Sequence, residues 1–239
     1  MTRPLRILYV GTLPPHPGGS AYSAYQLLGG LTGRGHVVRS LAPATSGTSA
    51  QAGEFDVRHP ELQVTRYRLP RFDASLPIPT PSAVRGAEEL ALRTEVPSLI
   101  AAHRPHVILA GRESYAWVVP ELARRYGVPS VLLLRGGGRT TALLEGHYPP
   151  ELARQFVARC RLADRLVAVS QHVATGFGRL GLEDVQTILN FVDLERFTPR
   201  PRDPGIGAAL AITPDNVVVM HLAYLTRSEE RRVGKECRL

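Results

Sequence analysis

Short apolar runs alternate along the chain with longer segments whose apolar residues recur at helical spacing. The run Leu5–Val10 is followed by a loop rich in glycine and proline, and from Ser20 onward the apolar residues are three or four positions apart. Gly33 and Gly35 end that segment, and His36–Ala42 is rich in β-branched and apolar residues. A strand, a helix and a second strand in this order predict a βαβ crossover, in which the two strands are parallel.

The same alternation continues to about residue 189. Loops are predicted at Thr45–Gly53 and Pro70–Pro81, and Pro97 is expected to kink or break the helix that Ser82 caps. This alternation is typical of a doubly wound α/β sheet, so we predict a Rossmann-like parallel sheet. The remaining strands are predicted at Gln63–Leu69, Val107–Ala110, Ser130–Leu134, Arg165–Val169 and Val185–Leu189, and the remaining helices at Ser82–His103, Trp117–Tyr126, Pro150–Leu162 and Ser170–Leu180.

The composition changes after that sheet. Four prolines fall within Phe197–Pro214, as in a linker, and Asn216–Leu222 begins another apolar strand. We therefore predict a Rossmann-like domain at 1–198, a linker at 199–215 and the first strand of a second domain at 216–226. Residues 227–239 are charged and resemble the translation of a sequencing-library adapter, so we interpret them as an artefact; a natural charged tail is the alternative. The chain is expected to be truncated.

Composition narrows the class of protein. Of 239 residues, 44% are hydrophobic and 21% are charged, which excludes a disordered or collagen-like chain. No apolar run is long enough for a membrane span, and the N-terminus does not have the layout of a secretory signal. With only Cys160 and Cys237, a disulfide framework and a multi-cysteine zinc site are excluded, and the cytoplasm is the expected location. The net charge of +8 favours anionic partners.

Four short motifs carry a resemblance to a known family. They are Pro-Pro-His-Pro-Gly-Gly at 14–19, Arg-Gly-His-Val-Val at 34–38, Ala-Asp-Arg-Leu-Val-Ala-Val-Ser at 163–170 and Ile-Leu-Asn-Phe-Val-Asp at 188–193. In this order and spacing they resemble the N-terminal, acceptor-side domain of family-four-like (group 1) glycosyltransferases of the GT-B fold. The resemblance covers about Arg6 to Thr226. It implies two Rossmann-like domains across a cleft, of which this chain holds the first and lacks most of the donor site.

The resemblance also implies an activity. We expect transfer of a sugar from a nucleotide-sugar donor to a sugar, lipid or metabolite acceptor, with retention of anomeric configuration and with neither a metal nor a further cofactor. The fragment alone is expected to be inactive. Peripheral contact with an anionic membrane is a possible partner interaction, and no nucleic acid is expected. Two alternatives stay open, namely a module that binds an anion or glycan without catalysis, and another Rossmann-like enzyme such as an oxidoreductase or epimerase.

A glycine pair marks the first candidate site. Gly18 and Gly19 lack a Cβ and precede Ser20 at the start of a helix, where backbone N–H groups and partial positive charge attract a diphosphate. By resemblance, this loop approaches the donor phosphates and the acceptor; a plain turn is the alternative. The absence of Gly-x-Gly-x-x-Gly counts against a dinucleotide-binding dehydrogenase.

Two further candidate groups follow predicted strands, at the edge where doubly wound folds bind ligands. Arg135, Gly136 and Arg139 come after Ser130–Leu134, and many relatives place a histidine near Arg135 that touches the sugar. An arginine suits a carboxylate or phosphate and cannot act as a general base. Arg112 and Glu113 follow Val107–Ala110 and could contact an acceptor. Solvated surface arginines, and a helix cap at Ser114, are the alternatives.

The last candidates are Asn190 and Asp193, which match the family signature although Phe191 replaces its glycine. We interpret them as structural, at the crossover between domains. The histidines 36, 106 and 172 lack metal-ligand spacing, so no metal site is predicted. Ser170 lacks the nucleophile-elbow motif, and Cys160 is expected in the core. Catalytic residues are not assigned.

Overall fold

The computed structural model describes residues 3–16, 18–44, 49–69, 81–136, 143, 145–201, 203–213 and 215–219, with residues 81–85 described for their backbone only. Strands and helices alternate through most of this range. The strands are β1 (Arg6–Val10), β2 (Val37–Ala44), β3 (Val64–Arg68), β4 (Val107–Ala110), β5 (Ser130–Leu134), β6 (Arg165–Ala168) and β7 (Val185–Thr187). The helices are α1 (Gly19–Gly33), α2 (Ser49–Arg58), α3 (Pro81–His103), α4 (Val119–Arg125), α5 (Pro150–Cys160), α6 (Gln171–Arg179) and α7 (Pro204–Ala209), with 3-10 turns at Pro60–Leu62 and Glu113–Trp117.

The seven strands form one sheet in the order β3-β2-β1-β4-β5-β6-β7. Every pairing is parallel; Leu8, for example, lies opposite Arg39 of β2 and Ile108 of β4. Because β1 has β2 on one side and β4 on the other, the chain reverses its direction of travel across the sheet at β1. The prediction of a doubly wound, Rossmann-like parallel sheet is confirmed.

Both faces of the sheet are covered by apolar packing. Successive residues of a strand point to opposite faces, so Leu8 and Val10 join the larger cluster while Ile7 and Tyr9 join the smaller one. The larger cluster includes buried residues of α3, α4, α5 and α6, and the smaller includes Ala24 of α1. Burial on both faces explains why the central strands are almost continuously apolar in sequence.

Three predicted segments differ from the structure. Residues 49–53, predicted as loop, begin α2, since Ala52 is buried there and alanine favours a helix. The helix is not broken at Pro97, because its neighbours Val96 and Leu99 are buried against the sheet and hold it through the missing hydrogen bond, and the alternative of a kink stays a prediction. The predicted linker contains α7, where the Asp203 carboxylate caps the helix by accepting from two backbone N–H groups.

The chain divides into two compact units, Met1–Phe191 and Val192–Leu239. The first contains the whole sheet. In the second, residues 216–219 form no strand, and the remainder of the predicted strand Asn216–Leu222 lies outside the described residues. The domain boundaries given by the sequence therefore stay a prediction. In the described part of the chain, no helix has the length and apolar character needed to cross a bilayer.

Candidate functional site

The candidate site lies at the carboxyl edge of the sheet, where β1 and β4 are neighbours. In open α/β sheets a ligand crevice forms outside the carboxyl ends of the strands at which the strand order reverses. Here the segments leaving β1, β4 and β5 begin at Gly11, Gly111 and Arg135, side by side. Two of the sequence-predicted groups are therefore at this edge, together with the loop that leads into α1.

The loop before α1 ends in open space. Gly18 has φ +110°, in the left-handed region that favours glycine, and it caps α1 without any side-chain hydrogen bond. A Cβ added at Gly18 or Gly19 would have no atom within 4 Å. The loop is tied down further back, since the Arg66 guanidinium donates to the Pro14 carbonyl (2.8 Å) and pairs with Asp56 (2.7 Å). The amino end of α1 is thus held in place and left accessible.

Tyr9 is buried directly beside the starts of the crossovers that leave β1 and β4. Its ring is 1% exposed and its hydroxyl donates to the Thr12 carbonyl at 3.1 Å. A Cβ added at Gly11 or Gly111 would collide with that hydroxyl. Both crossovers leaving β1 and β4 therefore need glycine to pass over the tyrosine. Sequence reasoning missed this requirement, although a glycine directly after each of two apolar strands was a visible signal.

Arg135 joins three segments that are far apart in sequence. Its Nε donates to the Gly111 carbonyl at 2.7 Å, its Nη1 donates to the Ser23 hydroxyl of α1 at 3.1 Å, and its backbone N–H donates to Glu113 Oε2 at 2.9 Å. Burial lowers the pKa of the Arg135 guanidinium, while Tyr9 and Glu113 act in the opposite direction. The guanidinium therefore braces α1 against the crossovers that follow β4 and β5.

Glu113, predicted to contact an acceptor, is 8% exposed and accepts the backbone N–H of Arg135. Its position favours a structural role for that carboxylate. Gly136, with φ +70°, packs so closely that an added Cβ would lie 2.7 Å from Val173 Cγ2. Arg139, the remaining prediction of this group, lies outside the described residues.

Arg112 lies beside a buried cluster of oxygen-bearing side chains. Its Nη2 is 3.4 Å from Glu88 Oε1, and its guanidinium carbon is 5.2 Å from the Tyr115 ring centroid. The Tyr67 hydroxyl donates to Glu88 at 3.0 Å and is 3.4 Å from the Tyr115 hydroxyl. Arg112 keeps 31% of its side chain exposed, yet its Nε is buried without a partner in the described part of the chain.

Burial and neighbouring charge set the protonation of this cluster. Burial raises the pKa of the Tyr9, Tyr67 and Tyr115 hydroxyls, so all three are neutral donors at physiological pH. Burial works against the charge of Arg112, but Tyr115 and Glu88 outweigh it and raise the pKa of the guanidinium. Arg112 is therefore a permanent cation at this edge of the sheet.

Asn190 and Asp193 have different surroundings. The Ser23 hydroxyl accepts a hydrogen bond from Arg135 and donates one to Asn190 Oδ1 at 3.4 Å. Asn190 therefore extends the hydrogen-bonded chain that begins at Arg135. Asp193 belongs to the second unit, where its Oδ1 accepts the backbone N–H groups of Glu195 (3.0 Å) and Arg196 (3.1 Å). This is a local turn.

The remaining potential nucleophiles have structural surroundings. Among the described residues, no group of three or more His, Cys, Asp or Glu side chains is placed to hold a metal ion. Ser170 caps α6 by accepting the Val173 N–H at 3.2 Å. Cys160 is fully buried, as expected, and burial raises the pKa of its thiol.

Comparison with known proteins agrees with this architecture. The family model of Glycosyltransferase Family 4 matches residues 17–196. HepE (Alr3699) of Anabaena, solved with UDP, is similar over 87% of this chain and 50% of that one, with 19% identity and a TM-score of 0.59. UGT89C1 of Arabidopsis thaliana is similar over 89% of this chain and 56% of that one, with 12% identity and a TM-score of 0.58. No curated protein matches the sequence.

These likenesses to solved structures concern the fold. The sheet corresponds to the N-terminal half of a GT-B glycosyltransferase, and the chain spans about half the length of the structures it matches.

Proposed function

The chain belongs to Glycosyltransferase Family 4, and from that premise we propose that it is the acceptor-side domain of an enzyme that transfers a sugar from a nucleotide-sugar donor. The class of donor is supported by the solved neighbours, since HepE has been solved with UDP, with UDP and glucose, and with UDP-glucose. The family supports glycosyl transfer in general. The stereochemistry, the metal requirement and the acceptor are parts of the proposal.

The observation that carries the proposal is the accessible amino end of α1 at the point where the strand order reverses. Gly18 and Gly19 leave room for a ligand, and the first N–H groups of the helix lack a capping side chain. Such an end attracts a diphosphate through N–H donors and through a partial charge of about +0.5. As the sugar leaves, negative charge builds up on the diphosphate, and these dipoles stabilise it. We therefore propose transfer that needs no metal ion. Retention of anomeric configuration is part of the proposal because the family resemblance implies it.

Arg112 and Arg135 are assigned different roles at this edge. The Arg135 Nε and Nη1 donate to the Gly111 carbonyl and the Ser23 hydroxyl. These contacts support a role for Arg135 in positioning α1. Arg112 keeps part of its guanidinium exposed beside Glu88. We propose that Arg112 holds a hydroxyl or an anionic group of the acceptor, because a guanidinium offers donors in a fixed plane.

The donor nucleotide is proposed to bind mainly to protein outside this chain, because the chain spans only half of the structures that it matches. We propose that the 239-residue chain alone does not transfer sugar. The test begins with the source DNA downstream of Thr226, read from an independent library. The longer protein and the 239-residue chain are then assayed side by side for release of nucleoside diphosphate from UDP-, GDP- and ADP-sugars. Retention is read from the anomeric proton in NMR spectra, and metal dependence from activity in EDTA.

A variant of the α1 loop makes the test specific. Gly19→Asp, assayed in the longer protein, places a negative charge at the first turn of α1 in open space, so it should preserve or raise the melting temperature. The same charge repels a diphosphate, so the KM for the donor should rise about tenfold or more, as for the loss of one charge-assisted hydrogen bond. Gly19→Asn is the uncharged control. An unchanged donor KM in Gly19→Asp, or no transfer from any donor, would refute the proposal.

A further inference from the structure

Basic side chains gather at the amino edge of the sheet, opposite the candidate site. We call Arg3, Arg6, Arg39, His103 and His106 the amino-edge cluster. Arg3 and Arg6 lie before and at the start of β1, and Arg39 lies in β2. His103 ends α3 and His106 precedes β4, so the cluster draws on four neighbouring segments.

The cationic groups of this cluster are close enough to affect one another. Burial lowers the pKa of His103, and Arg39, Arg6 and His106 lower it further, against a hydrogen bond with the backbone of Ile7. Partial desolvation lowers the pKa of His106, and Arg6 and Arg3 add to the effect. In the part of the chain that the structure describes, no carboxylate forms an ion pair with any member of the cluster.

Two polar atoms of the cluster are buried without a partner. They are Arg39 Nε and His103 Nε2. A buried donor that makes no hydrogen bond costs about 1–3 kcal/mol, and a bound ion or water is one of the explanations of such a group in native proteins. Here two such atoms lie in a region of uncompensated positive charge, so an acceptor that carries negative charge satisfies both needs at once.

The negative partial charge at the end of α3 offsets only part of this positive charge. Arg6 Nε donates to the carbonyls of His103 (3.1 Å) and Arg104 (2.8 Å), which satisfies two acceptors at the helix end. The helix end carries about half a negative charge, whereas Arg3, Arg6 and Arg39 together carry three positive charges. The Arg6 Nη1 and Nη2 atoms donate to no described residue, so they are available to a ligand.

We propose that the amino-edge cluster binds a phosphate-class anion through Arg39 Nε, the terminal nitrogens of Arg6 and Nε2 of His103. Phosphate oxygens accept several charge-assisted hydrogen bonds at once, and the proposed donors lie on the adjacent elements β1, β2 and α3. The anion gains most from the imidazolium form of His103, in which both ring nitrogens donate. For a given ionisation state of the phosphate, binding is therefore coupled to the uptake of a proton by His103. The site is independent of sugar transfer.

The direct test is calorimetric titration of the 239-residue chain with inorganic phosphate in Mes and Tris buffers. Arg39→Gln should weaken phosphate binding about tenfold or more, and Arg39→Lys should restore part of the loss because it restores the charge. Arg179→Gln removes the same charge from the exposed end of α6 and should leave the affinity unchanged. Equal weakening by both glutamine variants, or no binding to the unmodified chain, would overturn a free-phosphate site.

His103 gives a readout that needs no variant. In NMR titrations, phosphate should raise the pKa of its imidazole, because the bound anion offsets Arg39, Arg6 and His106. A His103 pKa that does not respond to saturating phosphate would contradict the assigned contact, even if phosphate bound elsewhere.

A second arm separates a free anion from a lipid headgroup. Sedimentation with phosphatidylglycerol vesicles, compared with phosphatidylcholine vesicles, measures binding to a phosphate that is fixed at a surface. Leu5 and Val37 are exposed at the same edge and would face such a surface. If the chain binds these vesicles, Arg39→Gln abolishes that binding and free phosphate binds only weakly, the site is assigned to lipid headgroups. Failure in both arms refutes the proposal.

Discussion

Gly111→Ala should destabilise the first unit because the new methyl group would enter the space of Tyr9. An added Cβ lies 2.7 Å from Tyr9 Cζ and collides with the hydroxyl, and the ring is 1% exposed, so it has no room to move. Overpacking costs about 1–3 kcal/mol, and strain on the bond from Tyr9 to the Thr12 carbonyl adds up to about 1 kcal/mol. Stiffening of the unfolded chain by alanine offsets about 0.5–1 kcal/mol.

The expected net loss is about 2 kcal/mol of unfolding free energy, which lowers the melting temperature by about 4–8 °C for a domain of this size. Urea denaturation followed by circular dichroism measures it. Gly29→Ala is the matched control: that glycine is inside α1 with nothing within 4 Å of an added Cβ, and alanine should stabilise the helix by about 0.5–1 kcal/mol.

A double-mutant cycle identifies the cause. Tyr9→Phe removes the hydroxyl that Gly111→Ala would strike, so the alanine should cost about 1 kcal/mol less in the Phe background. If Gly111→Ala is no more destabilising than Gly29→Ala, or costs the same in both backgrounds, the close approach of Tyr9 to the β4 crossover is refuted.

Three further predictions concern single side chains. Arg104 has φ 47° after α3, a conformation that favours glycine, so Arg104→Gly should raise the unfolding free energy by up to about 1 kcal/mol, and a loss would contradict this reasoning. Burial lowers the pKa of His103 from 6.5, so the stability it contributes is fully present above pH 6.5 and declines as pH falls toward the folded value. The urea midpoint should therefore change less between pH 6.5 and about pH 5.5 in His103→Asn, measured without phosphate; equal slopes would refute the prediction. In Cys237→Ser, the buried Cys160 should react with a thiol reagent only after denaturation, and rapid native labelling would disprove its burial.

The sheet could be predicted from sequence because its signals are local. Apolar runs, helical spacing and glycine stops located every strand of the sheet to within a few residues, and parallel order follows from the alternation of strands and helices. The helix at Ser49–Arg58 was missed because its segment is small and polar in composition, and Ala52 becomes apolar core only once the sheet is present.

The candidate site was only partly predictable. The edge of the sheet followed from topology, so the sequence could predict that Gly18, Gly19 and Arg112 lie there, because each follows a strand or precedes a helix. Their role as site residues stays a prediction. The hydrogen-bond partners of Arg135 could not be predicted, since nothing in the sequence near residue 135 indicates that Ser23 completes its hydrogen bonds. Glu88 was missed for the same reason: its contacts with Tyr67 and Arg112 depend on how α3 packs beside the sheet.

The brace made by Arg135 has a consequence for the order in which the protein is made. Ser23 and Arg135 are 112 residues apart, so during synthesis at about 5–20 residues per second the helix α1 leaves the ribosome roughly 6–20 s before the side chain that fixes it. During that interval the βαβ unit at the N-terminus can fold, but its α1 lacks the contact that orients it. The crevice acquires its final shape only once β5 has joined the sheet.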